Sequence, residues 1–354
     1  MKNTERIEKA LPAVIIWYSL NRRSLPWRDD PTPYHIWISE IMLQQTRIEA
    51  VIPYYRRFLQ ELPDIPALAA VSEDRLLKLW EGLGYYSRAR NLKKAAEIVM
   101  AQHNGMLPRK AEALKKLPGI GDYTAASIAS IAYGESEPAV DGNVLRLIMR
   151  LLALPDDIAD PRTKKETAEL LRSYYPSGRE ASLLTEGLME LGEVICLPNG
   201  SPLCSSCPLR SLCLAHEKGE ELCFPVKSAP KERRIEERTI LLLHSGRRFA
   251  IRKRPASGIL AVLWEFPGCE GRLSAAQALQ EAEKLGVCPL SSEPCGTAKH
   301  IFTHVEWRMT GYLISCACEA DELLWLSPEE ISAGYSIPTA LRFWQRKAEE
   351  VSRS

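Results

Sequence analysis

The sequence lacks the features that would assign it to a specialised class of protein. Its 354 residues contain no apolar run that approaches the ~20 residues of a membrane span, no tandem repeat and no low-complexity tract. The formal net charge is only +1, so the overall charge gives no indication of a nucleic-acid partner. The composition is ordinary, and the length suits about two domains that each bury a core.

An apolar stretch near the N-terminus, LPAVIIWYSL, has the length of a signal-peptide core. The polar run Asn21 to Arg23 follows it, where a cleavage site would have small residues. We expect an amphipathic helix of a cytoplasmic protein with no membrane partner, and in that compartment thiols stay reduced. The apolar positions recur at helical spacing, at Ile7, Leu11, Val14, Ile15 and Tyr18.

Four of the ten cysteines are concentrated in one short segment, residues 196–213, with the spacing C-x7-C-x2-C-x5-C. Reduced thiols so close together favour a metal centre over disulfides. Four thiolates with no histidine among them suit an iron–sulfur cubane better than structural zinc, which stays the alternative. The ligands would be Cys196, Cys204, Cys207 and Cys213. The other cysteines are scattered, and we interpret them as core or surface thiols: Cys223, Cys269, Cys288, Cys295, Cys316 and Cys318.

The pattern of the chain changes near residue 222. Before it, apolar residues recur at helical spacing in residues 34–45, 124–133, 143–152 and 180–193. Residues 223–236 are polar and charged and are interpreted as a linker. Residues 237–354 predict a mixed domain, in which RTILLLHS and RFAIRKR form a hairpin and HIFTHVEWRMTGYLISCAC holds two more strands. Helices are expected at 274–285 and 337–350.

Local charge is less balanced than the total. Eight lysines and arginines lie between Arg88 and Lys116, against two acids, Glu97 and Glu112. Such a patch suits phosphates, although a solvated helix face explains it equally well.

The segment LPGIGDYTA, residues 117–125, places two glycines in a turn that opens a helix. Amides freed at such a helix N-terminus bind an anion, as when a helix-hairpin-helix holds a DNA phosphate. Gly119, Gly121 and Thr124 are the predicted contacts to the DNA backbone.

These motifs together resemble the endonuclease III superfamily of DNA glycosylases. WISEIMLQQT (37–46), GLGYYSRARN (82–91) and VDGNV (140–144) narrow the resemblance to the adenine DNA glycosylases, the MutY family. SGILAVLWEFPG (257–268) and HIFTH (300–304) resemble that family's second, MutT-like domain. The resemblance implies an all-α helix-hairpin-helix glycosylase region at 1–222 with a [4Fe-4S] loop at 196–213. An α+β MutT-like (Nudix-like) domain would follow at 237–354.

The resemblance also implies the chemistry. The substrate would be double-stranded DNA in which adenine is mispaired with 8-oxoguanine or guanine, and the enzyme would act as a monomer. Adenine must leave the base stack before its glycosidic bond can be reached. Glu40 matches the acid that protonates the purine, which requires an apolar setting that raises its pKa; Ile36, Trp37, Ile41 and Leu43 could supply it. Asp141 matches a second carboxylate beside the sugar, although an aspartate before a helix is also an ordinary N-cap.

Tyr123 indicates the reaction subtype. Relatives that also cut the strand carry a lysine there as a Schiff-base nucleophile, and tyrosine cannot form an imine. The resemblance therefore implies a monofunctional glycosylase, in which Tyr123 and Asn143 position groups around the two carboxylates.

The remaining site residues also follow from the resemblance. The adenine pocket would comprise Arg23, Trp27, Arg28, Leu43, Ile48 and Glu186, and the residues beside the lesion pair would be Gln45, Thr46 and Tyr85. Core packing is an alternative for the aromatic residues Trp27 and Tyr85. The residues that recognise 8-oxoguanine would be Phe302 as a wedge and Thr303 and His304 as polar side chains.

The sequence departs from the family pattern at three points. The first cysteine gap has seven residues instead of six, Thr303 stands for the usual serine, and Val262 stands where relatives commonly have glycine. A valine would be costly if a positive φ is required there. The second domain also lacks the magnesium-binding motif of pyrophosphatases in QALQEAEKLG (277–286), so we expect recognition without hydrolysis.

Two other functions remain possible from the sequence. One is a glycosylase for mismatched thymine or damaged pyrimidines on the same scaffold. The other is a non-catalytic iron–sulfur module that binds DNA. The carboxylate pair disfavours the module, and the MutT-like domain disfavours the pyrimidine enzymes.

Overall fold

The computed structural model describes residues 2–229 and 232–353. It divides into two compact units, one of Met1–Val71 with Asn91–Ala229 and one of Ser72–Arg90 with Pro230–Ser354. The domain and linker bounds expected from the sequence include Met1, Pro230, Lys231 and Ser354, which lie outside the described residues.

Helices dominate the chain up to residue 218, as the apolar spacing predicts. No described helix is long and apolar enough to cross a membrane. The helices are α1 (Asn3–Asn21), α2 (Pro26–Asp29), α3 (Pro33–Leu43), α4 (Ile48–Glu61), α5 (Ile65–Ala70), α6 (Glu73–Leu79), α7 (Ser87–Gln102), α8 (Ala111–Leu114), α9 (Asp122–Tyr133), α10 (Gly142–Leu152), α11 (Pro161–Arg172), α12 (Arg179–Val194) and α13 (Leu214–Lys218), with short 3₁₀ helices at Cys204–Ser206 and Arg210–Leu212.

The core of the first unit includes α1, α10 and α12. The buried stripe of α1 contains Ile7, Leu11, Val14 and Tyr18, which confirms the amphipathic helix. Gly187 of α12 lets α1 approach, because a Cβ there would lie 2.9 Å from Val14 Cγ1. The predicted helices in 34–45, 124–133, 143–152 and 180–193 correspond to α3, α9, α10 and α12 within two residues at each end.

The second unit contains a mixed sheet. The elements are β1 (Arg234–Ser245), β2 (Arg248–Lys253), β3 (Trp264–Glu265), β4 (Gly268–Glu270), α14 (Ala275–Glu283), β5 (Pro289–Ile301), β6 (Val305–Cys316), β7 (Leu324–Leu326), α15 (Pro328–Gly334) and α16 (Arg342–Arg353), with a 3₁₀ turn at Thr339–Leu341 before α16. The described strands run in the order β3-β2-β1-β6-β5, with β4 beside β1 and β7 beside β2. The predicted hairpin is confirmed, since β1 and β2 pair antiparallel, whereas β1 and β6 pair parallel.

Two strand boundaries differ from the sequence prediction. β5 begins at Pro289, well before the stretch at 300–318, and its pairing with β6 is irregular between Pro294 and Gly296. Proline and glycine concealed this strand in the sequence, but an edge strand with a bulge tolerates both residues. β1 begins at Arg234, so the last residues assigned to the linker belong to the sheet.

The interpretation of Cys288 and Cys318 as separate thiols is wrong, because the two residues form a disulfide. Their Cα atoms lie 5.2 Å apart. Cys288 precedes β5 and Cys318 follows β6, and antiparallel pairing brings these two ends together. Sequence spacing alone does not contain this proximity.

Val262 adopts the backbone conformation that its position in the family pattern suggested. Its φ is 59°, and Leu260 nearby has a φ of 60°. A β-branched residue in the left-handed region is strained, because its Cβ crowds the following carbonyl oxygen.

We predict that Val262→Gly stabilises the second unit. Relief of the backbone strain exceeds the added entropy of the unfolded chain, so the free energy of unfolding should rise by about 0.5–1 kcal/mol. Ala261→Gly is the matched control, because Ala261 lies outside the left-handed region, and it should lower the same quantity by about 0.5–1 kcal/mol. Urea denaturation measures both, and a loss of stability in Val262→Gly would contradict the argument.

Candidate active site and cysteine loop

A cavity of about 1120 Å³ lies in the first unit. It opens between α3, the N-terminal ends of α9 and α10, and α12. Most of the residues that the sequence assigned to catalysis and adenine binding line it, namely Trp27, Arg28, Glu40, Leu43, Gln45, Thr46, Ile48, Tyr123, Asp141, Asn143 and Glu186. Gly121 and Thr124 also face it, whereas Arg23 and Gly119 are not part of the lining.

Glu40 lies on α3 and is buried, with 8% of its surface exposed. Its neighbours Ile36, Trp37 and Ile41 are buried as well, as the sequence predicted. Burial raises the pKa of Glu40 to about 7, and the Tyr123 hydroxyl opposes part of this rise. A carboxyl with this pKa is about half protonated at neutral pH, and the protonated form is the state a general acid requires.

Asp141 is the N-cap of α10. Its carboxylate accepts hydrogen bonds from the amides of Asn143 and Val144 at 2.9 and 2.8 Å. Burial raises the pKa of Asp141, while these amides and the charge of Arg146 oppose the rise. The N-cap interpretation is therefore confirmed. It is compatible with a catalytic role, because the Asp141 charge also raises the pKa of Glu40 and both side chains face one cavity.

Tyr123 is the second residue of α9 and directly follows the glycine turn. Its hydroxyl donates to Met189 Sδ at 3.4 Å. Lys164 of α11 places its Nζ 5.6 Å from the centre of the Tyr123 ring and also lines the cavity. The presence of Lys164 at the cavity could not be predicted from the sequence, because only the fold brings α11 to the edge of the cavity.

Two arginines and two glutamates form a buried charge network beside the cavity. Arg28 pairs with Glu186 at 3.1 Å and with Glu190 at 2.9 Å, and Arg23 pairs with Glu190 at 2.7 Å. Burial opposes the charge of Glu190, but the hydrogen bonds from both arginines outweigh it and lower its pKa to about 2. Burial raises the pKa of Glu186, with Arg28 opposing. Sequence reasoning missed Glu190, although it follows Glu186 by one helical turn.

The glycine turn before α9 differs in part from its prediction. Gly119 has a φ of +78°, and a Cβ there would lie 2.7 Å from Asn91 Cβ, so this glycine is required. Gly121 has an ordinary φ and caps α9. Thr124 is buried, and its hydroxyl accepts from Gln44 Nε2 at 3.3 Å; its contact with the DNA backbone stays a prediction.

The basic stretch is less available to phosphates than its composition suggested. Arg88 is buried and donates to the carbonyls of Leu83 and Gly84. Lys110 pairs with Glu135 at 2.6 Å, and Lys115 pairs with both Glu112 and Asp122. Among the eight charges, Lys110 and Lys115 are therefore paired with acids, and Arg88 is directed to backbone carbonyls.

The four cysteines of the 196–213 segment surround one small cavity, whose walls include Leu147, Leu151 and Ile195. None of the four forms a disulfide. Arg150 donates to Cys196 Sγ at 3.2 Å and to three backbone carbonyls of the segment 197–224. Four thiols with a buried cation beside them fit a cluster held by thiolates, whose negative charge requires compensation.

A smaller ligand group adjoins the same loop. Atoms of Cys204, His216 and Glu221 lie within 4.8 Å of one another. His216 Nδ1 and Glu221 Oε1 already form a hydrogen bond at 2.5 Å. This trio shares Cys204 with the four-cysteine segment but is a different set of ligands from the one that the sequence predicted.

Arg146 connects the cysteine loop to the candidate catalytic groups. Its guanidinium donates to the carbonyl of Cys196 at 2.7 Å and to Asn143 Oδ1 at 2.8 Å. Asn143 Nδ2 in turn donates to Asp141 Oδ2 at 3.0 Å. Gly192 permits this arrangement, because a Cβ there would lie 2.7 Å from Asn143 Cβ. The position of Asp141 therefore depends on the loop that holds the cysteines.

Comparison with known proteins places this geometry in a family. Residues 38–176 match the model of the HhH-GPD superfamily of base excision DNA repair proteins, and residues 238–343 match the NUDIX domain. The chain is 32% identical over 398 residues to the adenine DNA glycosylase of Homo sapiens, covering 93% of this chain and 72% of that protein. The chain belongs to the adenine DNA glycosylase family.

Further relatives agree with this assignment. The adenine DNA glycosylase of Arabidopsis thaliana is 35% identical over 357 residues, and the match spans 85% of this chain and 56% of that protein. A solved thermostable thymine-DNA glycosylase is 28% identical with a TM-score of 0.53, covering 60% of this chain and 98% of that one. The expected fold class, a helix-hairpin-helix glycosylase region followed by a Nudix-like domain, is confirmed.

The second unit of this glycosylase contains the remaining site residues. Tyr85 has a φ of 47°, is 48% exposed, and its hydroxyl lies 3.1 Å from Thr303 Oγ1. Thr303 and His304 are exposed. Phe302 is partly buried and packs edge-on against Trp307 and His300, with ring centres 4.8 and 4.6 Å away; its role as a wedge stays a prediction.

We predict that Glu190→Gln destabilises the glycosylase strongly, because it removes the carboxylate that Arg28 and Arg23 share and leaves Arg28 only Glu186 and Arg23 only the more exposed Glu193. The expected loss is about 3–5 kcal/mol at pH 7. Glu193→Gln is the control, since Glu193 pairs with Arg23 at 2.7 Å but is 40% exposed, and it should cost less than about 1 kcal/mol.

The pH dependence of the stability loss in Glu190→Gln tests whether the ion pairs of Glu190 cause it. The pKa of Glu190 falls from 4.5 to about 2 on folding, so its stabilisation is present above pH 4.5 and is lost as the pH falls toward 2. The stability difference between wild type and Glu190→Gln, measured by denaturant unfolding, should shrink over that range. An equal difference at pH 7 and pH 3 would contradict the ion-pair explanation.

Proposed function

We propose that this glycosylase removes adenine from mispairs with 8-oxoguanine or guanine in double-stranded DNA. Acid-assisted cleavage of the N-glycosidic bond would leave free adenine and an abasic site. The observation that carries the proposal is the buried Glu40 carboxyl, with a pKa raised to about 7, in the same cavity as Asp141. The cavity is large enough to receive a base that has left the stack.

Glu40 acts as the general acid. It donates its proton to the imidazole ring of adenine, and the electrons of the glycosidic bond then leave with the base. A proton donor with a pKa near the working pH combines a large protonated fraction with a useful acidity. The neighbouring hydroxyl of Tyr123 and the pocket residues Arg28 and Glu186 orient the base.

Asp141 supports the sugar. Positive charge develops at the anomeric carbon as the base departs, and a carboxylate held in a fixed orientation stabilises that charge. The amides of Asn143 and Val144 hold Asp141 from behind. Addition of water to the anomeric carbon, with loss of its proton, then yields the abasic product.

The reaction stops at the abasic site because Tyr123 offers no amine. An assay on duplexes with adenine opposite 8-oxoguanine, with and without alkali, tests this part of the proposal. We expect strand breaks only after alkali. Breaks without alkali would contradict it, and Lys164, whose amine lies over the Tyr123 ring, would then be the first residue to substitute.

We predict that Glu40→Gln abolishes adenine release while leaving DNA binding nearly unchanged, because the amide keeps the shape of the side chain but has no acid proton. In the wild type the single-turnover rate should fall as the pH rises through about 7, since the protonated fraction of Glu40 falls there. Glu49→Gln, an exposed substitution on α4, is the control and should keep the wild-type rate and profile. Substantial turnover by Glu40→Gln would place the acid elsewhere.

We further propose that Cys196, Cys204, Cys207 and Cys213 hold a [4Fe-4S] cluster. The supporting observations are the free thiols around one small cavity and the Arg150 guanidinium beside Cys196. The cluster would fix the loop that Arg146 connects to Asp141. The alternative is zinc held by the same four cysteines.

We predict that Cys204→Ser loses bound iron and lowers the melting temperature, whereas Cys223→Ser, outside the ligand set, keeps both. Elemental analysis and the visible absorption of the purified protein are the measurements. Purified wild type with zinc and without iron would overturn the cluster assignment.

The choice of substrate requires a reading of the opposite base, because adenine itself is a normal base. We propose that Thr303 and His304 supply hydrogen bonds to 8-oxoguanine, supported by their exposure and by the nearby Tyr85 hydroxyl. We predict that Thr303→Ala with His304→Ala reduces the preference for 8-oxoguanine over guanine by roughly threefold to tenfold per lost hydrogen bond. The ratio of single-turnover rates on the two duplexes measures this, and an unchanged ratio would exclude these residues as the reader.

The proposal includes a monomer in the cytoplasm. Reducing conditions there would keep the four loop thiols available for iron. The Cys288–Cys318 disulfide argues in the other direction, because cytosolic proteins seldom hold structural disulfides. Mass analysis of the protein with and without reductant, after purification from the cytoplasmic fraction, tests both points.

A further inference from the structure

Ser127 is a buried polar residue with no role in the reaction described so far. It lies on α9, is fully buried, and its Oγ has no hydrogen-bond partner among the described residues. A serine inside a helix commonly donates to the carbonyl one turn earlier, and Ser127 does not. A buried hydroxyl without a partner is costly and rare, so its retention requires an explanation.

The surroundings of Ser127 point to the candidate acid. Ser127 follows Tyr123 by four residues, which places both side chains on one face of α9. Helix α9 packs against α3. The Ser127 hydroxyl is close enough to the Glu40 carboxyl and to the Tyr123 hydroxyl to lower both of their pKa values. Ser127 is not part of the cavity lining, whereas Glu40 and Tyr123 are. It therefore faces the carboxyl from the protein side, out of reach of the substrate.

We propose that Ser127 is a positioning residue for Glu40: its buried hydroxyl donates to one carboxyl oxygen and so directs the acid proton on the other oxygen toward the cavity. This inference rests on the proposed role of Glu40 as the acid. When the proton leaves, the carboxylate keeps the same donor, so no reorganisation is required during the transfer.

Other groups around Glu40 set the background for its titration. They are the Tyr123 hydroxyl from α9, the Asp141 carboxylate from the start of α10, and the Glu186 carboxylate from α12, which pairs with Arg28. Removal of the Ser127 hydroxyl leaves all of these in place. It removes a donor that favours the ionised form of Glu40, so the protonated form should persist to higher pH.

Ser130 offers a matched control on the same helix. It is also fully buried, but its hydroxyl donates to the carbonyl of Ala181 at 3.1 Å and lies 2.6 Å from Thr185 Oγ1. Its bonds are directed away from Glu40, so Ser130→Ala tests the loss of a buried hydroxyl without the loss of a donor to the acid.

The experiment is the pH dependence of the single-turnover rate in the full-length protein, with DNA affinity and melting temperature measured beside it. Ser127→Ala should lower the plateau rate by about threefold to tenfold, the value of one lost hydrogen bond, and should move the descending limb to higher pH. DNA affinity should stay at the wild-type value. Ser127→Cys, which keeps the size but donates weakly, should fall between Ser127→Ala and wild type.

The outcomes separate this inference from the function on which it rests. Ser130→Ala should lower the melting temperature and leave the pH profile in place. If Ser127→Ala behaves like Ser130→Ala, or has the wild-type profile, while Glu40→Gln is inactive, the inference is wrong and the proposed function stands. If Glu40→Gln is itself active, the proposed function fails whatever Ser127→Ala does.

Discussion

The geometry of the candidate site depends on the hydrogen bonds of two buried arginines of α10. Arg150 donates to the cysteine loop and Arg146 donates to both Cys196 and Asn143, so the loop, the helix and the Asp141 carboxylate form one hydrogen-bonded assembly. Neither guanidinium can be left unpaired in this interior without a large cost. The loop must therefore be in place before the N-terminus of α10, and with it Asp141, has a defined position.

The burial of the Glu40 carboxyl determines its pKa and therefore its ability to act as an acid. Glu40 lies among apolar side chains of α3, and desolvation outweighs the hydroxyl groups that favour its ionised form. Glu190 is also buried, but its pKa is lowered because two arginines donate hydrogen bonds to it. Two buried glutamates thus acquire pKa values of about 7 and about 2, the first because burial dominates and the second because two arginines outweigh burial. Such a separation lets one carboxyl act as an acid while the other holds the pocket in shape.

The second unit combines local backbone strain with an exposed polar turn. Leu260 and Val262 both adopt left-handed backbone conformations in the segment that precedes β3. In the same unit Thr303 and His304 are exposed, whereas Phe302 packs against two aromatic rings. The two polar side chains therefore stand next to a packed aromatic cluster.

The sequence by itself determined the helices of the first unit, the hairpin of the second, the cysteine cluster and the apolar setting of Glu40, because each depends on neighbours in the chain. Tertiary structure decided the rest. The pairing of Glu190 with Arg23 spans 167 residues, Lys164 reaches Tyr123 only through the position of α11, and the Cys288–Cys318 bond depends on strand pairing. The count of charges along residues 88–116 was misleading, since Arg88 is buried against nearby backbone carbonyls and Lys110 pairs with Glu135. Spacing reports what one helix or strand does, whereas burial and pKa depend on which elements pack together.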